Sequence, residues 1–546
     1  MKAIDLYSGI GGWTLGFKMA GIEVVASYEW WKDANYTHNK NFGTDHTEKN
    51  IRELDLVKDL PNPDEIDFVV GSPPCTQFSF ANRGGNGDIA DGIIDVYKFL
   101  EVVDYIKPKY WAMENVPRVA GILEREILKG GSLDRFSHLF DSQFRVIKTY
   151  NSADYGVPQS RKRMIAGCFP FELFDSYQEV TPSRTLRDVV EGLMNNPLKD
   201  PVYGHEIENL TDNIGESPLS WEEERINKDS KTHHPVYNRM SFPDSLDRPS
   251  RTVTALCTRV SRESIIIETE PKHYRRLTVR ERGCIQTFPS DYQYYSNSYG
   301  GKLKMIGNAV PPLLTYYIAN SMLETPISEL KEARSKGEIV NNFKNLPRII
   351  KPENKGSNFT WSRSFWLAIP YLRLGSGVRF ELRNKANKEI EKVFWRVNFF
   401  YGNSKSIKEL SLDKELFLEL WEALEIIEIA GLVSVVESTI SYVQKLDIED
   451  LQENWTNRDR TKTSPISVVD RLGEFARIIL NLMEQSPKSN IRHLKSIIDH
   501  GFFEANKKLI ENSNVIVTGL LIGSIFNTII KGEELSLEPL LQSLEK

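Results

Sequence analysis

Two loops carry the residues best suited to chemistry. Pro73-Pro74-Cys75 offers a thiol, and Glu114-Asn115-Val116, 39 positions after the cysteine, offers a carboxyl group. Each follows a short apolar run that reads as a strand, Phe68-Val69-Val70 before the first and Tyr110-Trp111-Ala112-Met113 before the second. Parallel strands bring such loops together at one sheet edge. A thiolate beside a carboxyl group suits attack on an electron-poor ring that needs protonation elsewhere, and cytosine is such a ring.

The elements that must position these loops alternate. Residues 3–7 and 24–29 read as strands, 13–20 and 96–106 as helices, the latter with Val96, Phe99, Leu100, Val103 and Ile106 on one face. This βαβ rhythm predicts an α/β fold with a Rossmann-like, doubly wound, mostly parallel sheet. After strand one comes Asp5-Leu6-Tyr7-Ser8-Gly9-Ile10-Gly11-Gly12. Glu29 closes the second strand, 24 residues after Asp5. Glycines allow close backbone approach to a ligand, and an acid at the second strand end can accept both hydroxyls of a ribose. Thr14 breaks the G-x-G-x-x-G pattern, so the expected ligand contains adenosine but no pyrophosphate. Trp30 could stack on the adenine or simply pack in the core.

These motifs resemble the DNA (cytosine-5)-methyltransferase family. The glycine loop matches the family's D-L-F-x-G-x-G-G motif, with Tyr7 in place of Phe. Pro73-Pro74-Cys75 matches its Pro-Cys motif and Glu114-Asn115-Val116 its E-N-V motif. Gln159-Ser160-Arg161-Lys162-Arg163 matches Q-x-R-x-R, and the stretches 276–281 with 286–289 and 307–312 match the last two motifs. The six motifs occur in order across residues 1 to about 325. The resemblance implies S-adenosylmethionine as cofactor, held by Tyr7, Ser8, Gly9, Ile10, Gly11, Gly12, Glu29, Trp30 and Pro73, with Asn308 and Val310 closing over it. It implies Cys75 as the nucleophile toward C6 of a flipped-out cytosine and Glu114 as the group that holds and protonates N3. Arg163 and, less directly, Arg161 would hold the ring and the neighbouring backbone. Where family members carry an acid that recognises the adenine amine, this chain has Asn50-Ile51. A helix N-terminus after the cysteine could lower the thiol pKa. The implied partner is double-stranded DNA, and the implied role is modification within a restriction–modification system. A tRNA substrate is disfavoured: relatives of that kind carry Cys-Phe-Thr, whereas here Thr258 follows Cys257.

Domain boundaries follow from composition. Residues 1–173 read as the catalytic domain and 174–300 as a smaller, irregular target-recognition domain, with isolated strands near 251–254 and 265–267. Residues 301–326 return to the catalytic domain, 327–360 read as a linker, and 361–546 as a mixed β-then-α extension. In the extension, positions 378, 380 and 382 alternate with 393, 395, 397 and 399 as a hairpin turning at 384–387, and Ser464-Pro465 caps a helix. The extension carries no convincing Pro-Asp…Glu-x-Lys nuclease pattern; self-association, binding of a cognate endonuclease and contact with DNA are its candidate roles. Arg184, Arg239, Arg248, Arg251 and Arg259 are candidate readers of base edges.

Composition sets the outer bounds. Hydrophobic content of 40% over 546 residues supports more than one core. Four cysteines without a Cys-x-x-Cys pair point to neither a zinc site nor a disulfide framework. The N-terminus reads as a strand rather than a signal peptide. The apolar stretch 515–530 contains Thr518, Asn527 and Thr528 and reads as a buried helix, so a cytoplasmic protein without a membrane span is expected. The net charge is -6, yet basic residues cluster at Arg161-Lys162-Arg163 and from Lys272 through Arg276 to Arg280 and Arg282. Such clusters are either solvated faces or nucleic-acid contacts.

Overall fold

The computed structural model describes the chain except residues 79–87, 196–197, 208–209, 211, 213, 233–239, 341–345, 353–359, 375–377, 404–405, 426–428, 458, 460, 501–506 and 536–546. It divides into two compact units: Met1–Leu219 with Pro243–Pro352, and Ser220–Phe242 with Glu353–Lys546.

The first unit begins with β1 (Lys2–Leu6), α1 (Gly12–Met19), β2 (Glu23–Tyr28), α2 (Lys32–Phe42), β3 (Phe68–Gly71), α3 (Ile89–Ile106), β4 (Tyr110–Asn115), α4 (Val119–Glu126), β5 (Arg145–Asn151) and β6 (Lys162–Cys168). The six strands form one sheet in the order β2-β1-β3-β4-β6-β5. β1 to β4 run parallel, and β6 is antiparallel to both β4 and β5. β3 and β4 are buried along their whole length, as continuous apolar strands are when both sheet faces are covered. Successive side chains go to opposite faces: Val69 packs with Val96, Phe99 and Val103 of α3, whereas Phe68 and Val70 share a core with Trp13 and Phe17 of α1. Because β1, β3 and β4 are adjacent and parallel, their carboxyl ends lie side by side. That sheet edge gathers the glycine loop, the Cys75 loop and Glu114.

The chain continues through α5 (Phe171–Ser176), α6 (Leu186–Gly192), α7 (Trp221–Thr232), β7 (Ile266–Glu270), β8 (His273–Arg276), α8 (Val279–Ile285), α9 (Tyr299–Asn308) and α10 (Pro312–Met322). Here the structure departs from the sequence reading. Residues 251–254 form no strand; Arg251 instead grips Asp244 with two nitrogens, at 2.6 and 3.0 Å. Residues 220–242, expected within the recognition domain, group with the second unit. Residues 327–352, expected as linker, belong to the first unit, where Ala333 and Ile339 are buried.

The second unit holds a four-stranded antiparallel sheet, β9 (Trp366–Arg373), β10 (Arg379–Asn387), β11 (Lys392–Asn403) and β12 (Ser406–Leu410), in the order β12-β11-β10-β9. β10 pairs with β11 through Asn387 and Lys392, so the hairpin turns at 388–391, four residues beyond the expected place. Asn384 is no turn residue: its side chain accepts from Phe365 N and donates to Arg363 O and Gln452 Oε1. Among the described residues seven helices follow: α11 (Lys414–Glu425), α12 (Leu432–Gln444), α13 (Ile448–Asn457), α14 (Pro465–Gln485), α15 (Lys488–His500), α16 (Lys507–Glu511) and α17 (Ser513–Ile530). Ser464 caps α14 by accepting from Ile466 N. By length and composition α17 could cross a membrane, but 78% of it is buried within the protein, in one core with Phe380, Val397 and Phe399 of the sheet. Its Asn527 is fully used, accepting from Val397 N and donating to Val397 O and Leu412 O. Helix α7 belongs to this unit through Arg225–Asp470 and Asp229–Arg373 ion pairs and the packing of Ile226 on its core.

Candidate active site

The glycine loop is shaped by three left-handed residues, Tyr7 (φ 55), Gly9 (φ 54) and Gly11 (φ 86). Gly11 N closes the turn on Ser8 O at 2.8 Å. Glu29, buried just beyond β2, accepts from Gly9 N at 2.9 Å and from Trp31 N at 2.7 Å, one bond on each oxygen. A carboxylate oxygen has two acceptor sites, so each oxygen retains one for a ligand hydroxyl. Burial pushes the Glu29 carboxyl above its usual range, opposed by the amides of Trp31, Gly9 and Trp30. Ser8 Oγ is buried and has no hydrogen-bond partner among the described residues. Trp30 is 64% exposed, which rules out the core-packing reading of this residue.

Beneath the loop, Asp5 Oδ2 accepts from Thr14 N at 3.2 Å and from Thr14 Oγ1 at 2.8 Å, and Thr14 Oγ1 meets His38 Nε2 at 3.0 Å. Burial raises the Asp5 pKa to about 7 and lowers that of His38 to about 3. The last motif approaches from the far end of the unit. A Cβ on Gly12 would lie 2.1 Å from Val310 O, and Thr315 Oγ1 donates to Gly12 O at 2.8 Å.

Cys75 sits on a loop held from two sides. Asn115 Nδ2 donates to Pro73 O at 3.1 Å, and Trp13 Nε1 donates to Ser72 Oγ at 2.9 Å. After Cys75 the chain turns, Phe78 N bonding Cys75 O at 3.0 Å, and among the described residues the next helix is Ile89–Ile106. The expected helix N-terminus after the cysteine falls on residues 79–87, outside the described residues. Burial pushes the Cys75 thiol up, and the Arg163 and Arg161 guanidinium groups pull against it. Glu114 lies within β4 rather than beyond it, and Arg163 Nε meets Glu114 Oε1 at 2.9 Å.

One cavity of about 280 Å³ joins these parts. Its walls include Tyr7, Ser8, Gly9, Ile10, Gly12, Glu29, Trp30, Pro73, Cys75, Glu114, Arg161, Arg163, Asn308 and Val310. Gly11 is absent from the walls; its Cβ position points at Phe42, so it serves the turn. Asn50 and Ile51 also lie outside the lining. Asn50 caps a short 3-10 turn through Arg52 N and donates to Glu53 Oε1, while Ile51 is core. The lining also holds residues the sequence reading missed, notably Trp31 and Lys304, whose ammonium stands 4.8 Å over the Trp31 ring.

Arg161 is more deeply committed to the fold than expected. It donates to Val253 O, Gly307 O and Ala309 O, each at 3.1 Å, and burial lowers its pKa to about 9. The second basic cluster is exposed at Lys272 and His273 but internal from Arg276 onward. Arg276 pairs with Glu216 at 2.8 Å, Arg280 donates to Tyr292 O at 2.5 Å and Arg282 to Thr254 O at 2.6 Å. Of the candidate base readers, Arg184 holds Gly156 O and Val202 O, Arg251 holds Asp244, and Arg259 holds Pro218 O. Arg248 is exposed, and Arg239 lies outside the described residues.

Residues 1–324 match the family of C-5 cytosine-specific DNA methylases. The chain belongs to this family. It is a DNA cytosine-5 methyltransferase related to restriction–modification enzymes. Type II methyltransferase M.HindV of Haemophilus influenzae is 32% identical over 337 residues, covering 59% of this chain and 96% of that protein. Type II methyltransferase M.FnuDI of Fusobacterium nucleatum is 30% identical over 347 residues, covering 60% and 95%. Among solved structures, the S. pombe Dnmt2 methyltransferase aligns with a TM-score of 0.41 at 16% identity, over 59% of this chain and 98% of that one. Residues beyond 324 lie outside the family match.

Proposed function

We propose that the chain methylates C5 of a flipped-out cytosine in a specific duplex DNA sequence, through a covalent bond between Cys75 and C6, as the modification enzyme of a restriction–modification system. The observation that carries this reading is the single cavity shared by Cys75, the Glu114–Arg163 pair and the glycine loop. The cofactor side fits S-adenosylmethionine: Glu29 keeps one acceptor site on each oxygen, Ser8 Oγ is an unused buried hydroxyl, and Trp30 presents an exposed ring. When bound, that cofactor supplies an electrophilic methyl group.

Cys75, its proton lost beforehand to solvent, attacks C6 as the thiolate, forming the S–C6 bond, while N3 takes a proton from Glu114. The electron pair of the C5–C6 bond becomes available at C5, the carbon to be methylated. Arg163 orients Glu114 and faces the ring, and Arg161 fixes the loop beside it. Once C5 carries the methyl group, a base takes the C5 proton, Cys75 leaves as the thiolate, and N3 returns its proton to Glu114, which restores the aromatic ring. Taking the cytosine out of the duplex costs a few kcal/mol. The work is cytoplasmic, and the second unit serves association with a cognate endonuclease or a second copy.

Transfer of labelled methyl from S-adenosylmethionine to mixed-sequence duplex DNA and, separately, tRNA tests this reading. Label in DNA that is abolished by Cys75→Ala is expected. Label in tRNA alone, or label that survives the substitution, would refute it.

A further inference from the structure

A chain of polar side chains, outside the cavity lining except for Tyr7, joins the glycine loop to the loop carrying Cys75. Tyr7, which stands where the family motif has Phe, donates from its hydroxyl to Asp95 O at 3.1 Å and to Asp95 Oδ1 at 3.3 Å. Arg52 grips the same carboxylate with two nitrogens, Nε to Oδ1 at 2.9 Å and an Nη to Oδ2 at 2.7 Å. Its other Nη reaches Asp91 Oδ1 at 2.8 Å. Asp91 Oδ2 in turn accepts from Gln77 Nε2 at 3.1 Å, and Gln77 Oε1 accepts from Asp88 N at 3.0 Å. Gln77 lies two residues after Cys75. Asp91 and Asp95 are one turn apart on α3, so one guanidinium fork spans both, a geometry that a lysine cannot copy.

The two ends of the chain need such a tie. Tyr7 is a non-glycine residue held at φ 55, a conformation that persists only when its surroundings impose it. Asp95 is nearly buried, so its charge needs the Arg52 partner. On the C-terminal side of Cys75, the Phe78 ring packs in the core and Gln77 bonds Asp91.

Building on the proposed function, we propose that Arg52 is a positioning residue that couples the seating of the cofactor-binding loop to the placement of Cys75, through Asp95–Tyr7 on one side and Asp91–Gln77 on the other. The Tyr7 end governs the cofactor, and the Gln77 end governs the nucleophile.

The test is steady-state methylation of duplex DNA by the full chain, with melting temperature recorded for each variant. Tyr7→Phe should raise KM for S-adenosylmethionine about 3- to 10-fold, as expected for one lost hydrogen bond. Gln77→Leu should lower kcat by a similar factor. Arg52→Gln should do both. Arg52→Lys should keep the charge beside Asp95 and recover KM, but leave kcat low because the fork to Asp91 is gone. The effects of Tyr7→Phe and Gln77→Leu should be non-additive by at least about 3-fold when Arg52 is present and additive in the Arg52→Gln background. Additivity with Arg52 present, or Arg52→Gln kinetics within twofold of wild type, would overturn the proposal. So would losses in KM and kcat that merely track the folded fraction. If wild type itself transferred no methyl group, the failure would belong to the functional reading and not to the clamp.

Discussion

Gly12→Ala is the sharpest single perturbation of the cofactor side. The new Cβ would lie 2.1 Å from Val310 O, whereas ordinary contact begins at 3.4 Å. The obstacle is backbone, so no rotamer change relieves it, and the carbonyl must retreat by about 1.3 Å. Overpacking of this kind costs about 1–3 kcal/mol. Val310 and Asn308 line the cavity, so the retreat falls on the cofactor side. If the cost is carried by binding, the dissociation constant for S-adenosylmethionine rises about 5- to 150-fold. Calorimetric titration measures that constant, and Gly16→Ala supplies the control. Its Cβ would lie 2.0 Å from Thr315 Oγ1 and 2.6 Å from Pro312 O, one turn further along α1 and outside the cavity lining. Gly16→Ala should lower the melting temperature with a much smaller loss of affinity. Equal affinity losses for the two variants, or wild-type affinity for Gly12→Ala, would show that Val310 does not close the cofactor site.

Because burial dominates at Cys75, its alkylation by iodoacetamide should climb through pH 7–9 without a plateau, and Arg163→Gln, which removes a positive charge, should slow it at every pH; a plateau below pH 7 would contradict this. Asp5 and His38 should oppose each other in stability. The folded Asp5 holds its proton to about pH 7, against 3.8 for a free carboxyl group, so its contribution falls as pH rises from 3.8 to about 7. Folded His38 refuses a proton down to about pH 3 against 6.5, so its contribution falls as pH drops below 6.5. Asp5→Asn should therefore expose a steeper acid loss between pH 6.5 and 4 in denaturant titrations, and an unchanged pH profile would count against the pairing. Asn527→Leu should destabilise the second unit by about 1–3 kcal/mol, because Val397 N–H loses its partner inside the core; urea melts followed by tryptophan fluorescence would reveal a null effect.

The sheet edge was legible because its signals are local. An apolar run followed by glycines, or by Pro-Pro-Cys, announces a strand and its loop within ten residues. The buried arginines were not legible. Whether Arg276, Arg280 or Arg282 faces solvent depends on Glu216, Tyr292 and Thr254, and Glu216 and Thr254 lie well outside the motif. Segment 220–242 misled for a related reason. Asn227 and Lys231 look like surface residues, yet both are buried, with Lys231 Nζ donating to Asn227 Oδ1 at 2.8 Å. Asn50 matched a motif position in spacing, but its side chain caps its own backbone, a local bond that spacing cannot reveal.

The discontinuity of the second unit has a consequence for synthesis. Helix α7 ends at Thr232, but the last helix of its core ends at Ile530, so roughly 300 residues must be made before α7 can be fully enclosed. At about 5–20 residues per second this interval lasts roughly 15–60 s. During that time Ile226, Asn227 and Lys231 have no finished interior to enter. A nascent chain stalled or cleaved near residue 352 would carry a complete methylase motif set and an orphaned helix in its middle.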